Sequence, residues 1–195
     1  AAIWMLMVFF FFILWEIRPH LFSWIFGSLI LLVLEEYSRG SKRWLPVLPV
    51  LMALWVNTHS IFILGLVIIA TYVFSDIMTN SWKHRRLNFD PRLIAWTVVA
   101  VLACLINPYH IKGLLFPLGQ FFLIQGQGGF KSTMTGTSEF ISPFRFQEYF
   151  KDGRFILFQP RLWWQLYALL AVIGVIAARK KLSLAQWILF AGFFY

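Results

Sequence analysis

The sequence predicts an all-α fold, a polytopic bundle of transmembrane helices with about seven spans, and three observations carry that expectation. Apolar residue classes make up 60% of the chain and charged residues 13%, against about half and about a quarter in soluble domains. Runs nearly free of charge recur at 1–15, 21–34, 61–74, 93–106 and 162–178, which is the pattern of membrane spans. Short connections dense in Lys and Arg punctuate them: Arg39, Lys42 and Arg43; Lys83, Arg85, Arg86 and Arg92; Arg179, Lys180 and Lys181.

By the positive-inside rule these three connections share the cytoplasmic side. One alternating path satisfies them: 1–15 outward, 21–35 inward, 45–56 outward, 61–77 inward, 93–106 outward, 162–178 inward and 182–195 outward. The path between the first two basic connections is short for two crossings, so Asn57-Thr58-His59-Ser60 is read as a tight turn on the far side. Pro46 and Pro49 fall in the first turns of the helix leading to it, where a missing N–H costs least.

Residues 107–161 form a long extracytoplasmic loop within a single transmembrane domain covering 1–195. Within it, 111–124 is apolar enough for an interfacial helix. Gln125-Gly126-Gln127-Gly128-Gly129 reads as a break, and 137–161 alternates aromatics with charges. The chain opens on Ala1 and stops at Tyr195 inside apolar runs, and is expected to be a piece of a longer protein.

The net charge of +9 would raise the question of nucleic acid in a soluble protein. Here the cations cluster at span ends, where orientation and lipid head groups account for them, so no nucleic-acid partner is expected. Cys104, the lone cysteine, lies mid-span and reads as a buried structural thiol.

This path gathers Glu16, Arg18, His20, Asn57, His59, Asn107, Tyr109, His110, Glu139, Glu148 and Asp152 on the outer face. Polar groups at membrane depth are costly unless paired or wet, so the cluster is a candidate site. A turn needs neither an imidazole nor an amide two residues apart, which favours a role for Asn57 and His59. Arg18 and His20 could equally mark a turn, Asn107 before Pro108 could cap a helix end, and Tyr109 suits an aromatic belt. His20, His59, His110 and Glu139 are of metal-ligating type, so a divalent metal is a candidate cofactor, though their spacing carries no local signature. No P-loop is present, because the glycines at 126, 128 and 129 lack the strand and the Lys.

Four motifs follow one another in order: Arg18-Pro19-His20-Leu21-Phe22-Ser23; Leu54-Trp55-Val56-Asn57-Thr58-His59-Ser60; Ile106-Asn107-Pro108-Tyr109; and Glu139-Phe140-Ile141-Ser142-Pro143. As an ordered series they resemble bacterial polytopic glycosyltransferases of the GT-C superfamily. Departures from that pattern are Ser60 and His110, where Gly is usual, and Phe140, where Trp is usual. The resemblance implies an enzyme of the bacterial inner membrane, acting on its extracytoplasmic face. Such an enzyme moves a sugar from a polyprenyl-phosphate carrier to a glycan, lipid or protein acceptor. It implies substrate-binding roles for Arg18, His20, Asn57, His59, Asn107, Tyr109 and Glu139, and a catalytic carboxylate in a loop upstream of Ala1. Two other classes remain: a transporter or flippase of lipid-linked or small polar substrates, and a non-catalytic membrane subunit. The first calls for polar residues near span centres, which here are almost wholly apolar; the second predicts an outer cluster tolerant of Ala.

Overall fold

The computed structural model describes residues 20–126, 150–151, 154–155 and 160–194. The expected span at 1–15, together with Arg18 and Glu139, lies outside them. Seven α-helices are present among the described residues: α1 His20–Ser38, α2 Val47–Val56, α3 Ile63–His84, α4 Pro91–Ala103, α5 His110–Gly126, α6 Pro160–Ala178 and α7 Leu184–Phe194. One antiparallel rung pairs β1 Phe150–Lys151 with β2 Arg154–Phe155. The chain divides into two compact units, 1–117 and 118–195, with α5 running across the division.

In the first unit α2 packs mainly on α4 and also on α1, and α1 packs in turn on α3. The core joins Ile30 and Leu34 of α1, Leu48, Met52 and Trp55 of α2, Ile69 and Tyr72 of α3, and Leu93 and Ala100 of α4. Trp55 is its centre. It stacks on Phe26 with ring centroids 6.0 Å apart, and a Cβ at Gly65 would stand 2.8 Å from both its ring and Met52 Sδ. Glycine at 65 is therefore what lets α3 approach α2. Cys104 is buried, as expected, and its thiol donates to the Ala100 carbonyl at 3.4 Å.

Local sequence explains the helix ends. Pro91 opens α4 and Asp90 caps it, its carboxylate accepting from Arg92 N at 3.0 Å. Arg85 ends α3 in the left-handed region, at φ 51°. Pro46 caps α2 and Pro49 follows in its first turn, as expected. In the second unit Ser183 and Gln186 form a reciprocal capping box at α7: Ser183 N donates to Gln186 Oε1 at 2.8 Å and Gln186 N to Ser183 Oγ at 3.3 Å.

Two segments, Leu21–Ser38 and Ser60–His84, are long and apolar enough to cross a bilayer. Only 22% and 33% of their apolar windows is buried, so they are not sequestered like the core helix of a water-soluble domain. Trp24, Leu32, Val67 and Phe74 stand exposed along them. α2 and α4, of 10 and 13 residues, rise only about 15 and 20 Å. An open, wholly apolar cleft runs between these two, lined by Pro49, Ala53, Leu54, Val99, Leu102 and Ile106. One boundary differs from expectation: α3 continues through Lys83 and His84, so the second basic connection begins inside the helix, where basic residues suit the negative end of the helix dipole.

Candidate functional site

At one end of the first unit, three of the sequence motifs meet. Trp55 Nε1 donates to Ser23 Oγ at 3.0 Å, and Ser23 Oγ lies 3.1 Å from His59 Nδ1. Ile61 N also points at His59 Nδ1, at 3.4 Å. A backbone N–H can only donate, so Nδ1 is an acceptor and the neutral imidazole carries its proton on Nε2. The Ser23 hydroxyl accepts from Trp55 and donates to His59, and this relay fixes both tautomer and ring plane. His59 thereby caps the 3₁₀ turn Ser60–Phe62 that leads into α3.

Asn57 ties a different pair of elements. Its Nδ2 donates to the Ala53 carbonyl within α2 and to the Ile106 carbonyl beyond α4, both at 2.7 Å. Asn107 closes the end of α4: Nδ2 donates to Cys104 O at 2.7 Å and His110 O at 3.0 Å, while Oδ1 accepts from Tyr109 N at 2.8 Å. It is buried, and a Cβ at Gly113 would collide with it. The helix-capping alternative is thus the geometry found for Asn107. Tyr109 is 73% exposed, and His110, at φ 48°, sits beside the Leu105 carbonyl, with Nδ1 3.3 Å away.

Asn57 and His59 therefore reach toward different helices, one to the end of α4 and the other to the start of α1. His20 begins α1; its side chain, like the whole of Arg18 and Glu139, is outside the described residues. Among the described residues no three His, Cys, Asp or Glu side chains gather as metal ligands.

A second polar level lies at the opposite end of the first unit, apart from the cluster that the sequence singles out. Asp76 accepts from Tyr37 OH at 2.8 Å, Asn80 Nδ2 at 2.9 Å and Asp90 N at 3.0 Å. Tyr72 OH donates to Glu35, and Lys42 Nζ stands 2.5 Å from Asp90 Oδ2. Partial burial pushes the Asp90 carboxyl upward, but Lys42, the Arg92 N–H and Tyr37 outweigh this and hold it below the ordinary carboxylate value. The signal was present in the sequence: Tyr72, Asp76 and Asn80 recur every four residues and so share one face of α3. Ser23 was likewise visible inside its motif, but nothing in one sequence shows that it contacts His59.

Comparison of the chain with family models, with characterised proteins and with solved structures gives no match.

Proposed function

We propose that this chain belongs to a polytopic membrane enzyme of GT-C type, which moves a sugar from a polyprenyl-phosphate carrier to an extracytoplasmic acceptor. The observation that supports the reading is the convergence of its motifs. Ser23, Trp55 and His59 share one hydrogen-bonded relay, and Asn57 fastens the second motif to Ile106 at the head of the third. Motifs scattered along the chain thus assemble at one end of a helix unit, as a site requires. In this reading all seven helices but the interfacial α5 cross the bilayer, preceded by a span at 1–15, and the motif end faces outward.

Displacement at the sugar's anomeric carbon forms a bond to the acceptor oxygen and breaks the bond to the carrier phosphate. A carboxylate takes the acceptor proton, and fixed donors hold the charge that develops on the phosphate. Arg18, His20 and the Nε2–H of His59 are assigned to the phosphate, with Tyr109 beside it and Glu139 orienting the acceptor hydroxyl. Asn57 and Asn107 shape the turn and the helix end that present these groups. The resemblance supplies the base from an upstream loop.

The test is turnover of lipid-linked sugars by the complete purified protein. Arg18→Ala and His59→Ala should each lower the rate about 10²–10³-fold with normal membrane insertion, while Lys83→Ala and Lys180→Ala should leave it nearly unchanged. Wild-type rates in both of the first pair would remove the assigned roles.

A further inference from the structure

The two polar levels of the first unit are closer together than the two faces of an ordinary bilayer. From Ser23 to Glu35 along α1, from His59 to Asp76 along α3 and from Arg92 to Ile106 along α4, the rise is only about 18–25 Å. Each level is fixed by bonds between elements, so neither can slide along a helix to lengthen the belt. Ser23–His59 and Asn57–Ile106 pin one level; Tyr37–Asp76, Tyr72–Glu35 and Lys42–Asp90 pin the other. Between them the described side chains carry no charge, and Trp24, Leu32, Val50, Val67, Val98 and Leu102 stand exposed.

Neither level suits burial in hydrocarbon. Arg39, Arg43 and Arg92 are exposed at one, and Asn57, Thr58 and Lys112 at the other. A hydrocarbon core of about 30 Å would overrun one level by several ångströms, and tilting the helices would shorten the belt further. Charged and amide groups in the core are expensive, whereas thinning a bilayer costs only fractions of a kcal/mol per Å.

We infer that the first unit is built for a locally thinned bilayer, presenting short lipid chains with an apolar belt of about 18–25 Å between the level pinned by Ser23 and His59 and the level pinned by Glu35 and Asp76. The open cleft between α2 and α4 gives those chains a surface to pack on. Thinning brings the lipid phosphates down to His59, where a lipid-linked substrate would have to meet it. The inference rests on the membrane placement proposed above, and is independent of the sugar-transfer step.

The complete protein, reconstituted in phosphatidylcholine vesicles, tests it in two ways. In competition against brominated dioleoyl lipid, read by tryptophan quenching, dimyristoleoyl lipid should associate about twofold more strongly than dioleoyl lipid, and dierucoyl lipid more weakly. Spin labels at Ser41→Cys and Thr58→Cys, on a Cys104→Ala background, should both collide with a water-soluble relaxation agent in dioleoyl vesicles. A dioleoyl or dierucoyl preference, or a Thr58 label shielded from water but exposed to oxygen, would overturn the inference and leave membrane placement standing. Release of the protein by alkaline carbonate would defeat membrane placement itself, and this inference with it.

Discussion

Ser23 Oγ and His59 Nδ1, 36 residues apart in sequence, lie 3.1 Å apart in space. The serine is in turn held by Trp55 Nε1 at 3.0 Å. The imidazole is therefore oriented by a side chain whose position depends on the packed core, and the motif end and the core cannot be altered independently.

Replacing Ser23 by Ala removes the hydroxyl that orients His59 and leaves Trp55 Nε1 without that acceptor. Turnover should fall about tenfold, less than for His59→Ala, because the imidazole is kept and only its preorganisation is lost. The pH profile of kcat/KM should shift in Ser23→Ala and be restored by Ser23→Thr. An unchanged profile with an unchanged rate would separate the relay from function.

The proposed sidedness rests on the basic connections. Cysteines placed at Ser41, Ser81 and Ser183 should be shielded from an impermeant thiol reagent in intact cells, whereas one at Ser132 should react. Labelling at Ser81 with protection at Ser132 would invert the proposed path.

Asp76 is the hub of the second polar level. Asp76→Ala strips an acceptor from Tyr37 OH, Asn80 Nδ2 and Asp90 N at once, and should cost about 2–3 kcal/mol of unfolding free energy. Tyr72→Phe removes one donor to Glu35 and should cost about 1 kcal/mol. Denaturation in detergent micelles measures both, and equal losses would show that Asp76 does not act as a hub.

Asp90 ties the same network to pH. Its folded value is depressed below the unfolded one. Its contribution is therefore complete above an unfolded value of about 3.9 and is lost as pH falls from there through the folded value. Thermal scans should show the wild-type acid limb in that window, flattened in Asp90→Asn and reduced in Lys42→Gln. Coincident limbs for all three proteins would place the acid sensitivity elsewhere.

Sequence periodicity and charge located nearly every described helix, because apolar runs and Lys/Arg clusters are local signals. The 21–35 run became His20–Ser38, and the 162–178 run became Pro160–Ala178. Less legible were partnerships across the chain. Asn107 could be read as a cap or as a ligand until its three hydrogen bonds were seen. Asn57 and His59, two residues apart, look like one site in sequence, yet the turn sends them to different helices. The Asp76 level was missed because the positive-inside pattern weighs cations, and a carboxylate near a basic loop is read as neutralising charge rather than as a joint between helices.

The fit of Gly113 against Asn107 has a consequence for how this region can change over generations. The Asn107 amide occupies the space that any side chain at 113 would need, so a first substitution at either position meets a clash or leaves a void and loose carbonyls. Passage to a different residue pair is easiest when both codons change together or when the asparagine goes first. Atomic volume alone therefore couples the two positions: a side chain at 113 requires the Asn107 amide to leave its place.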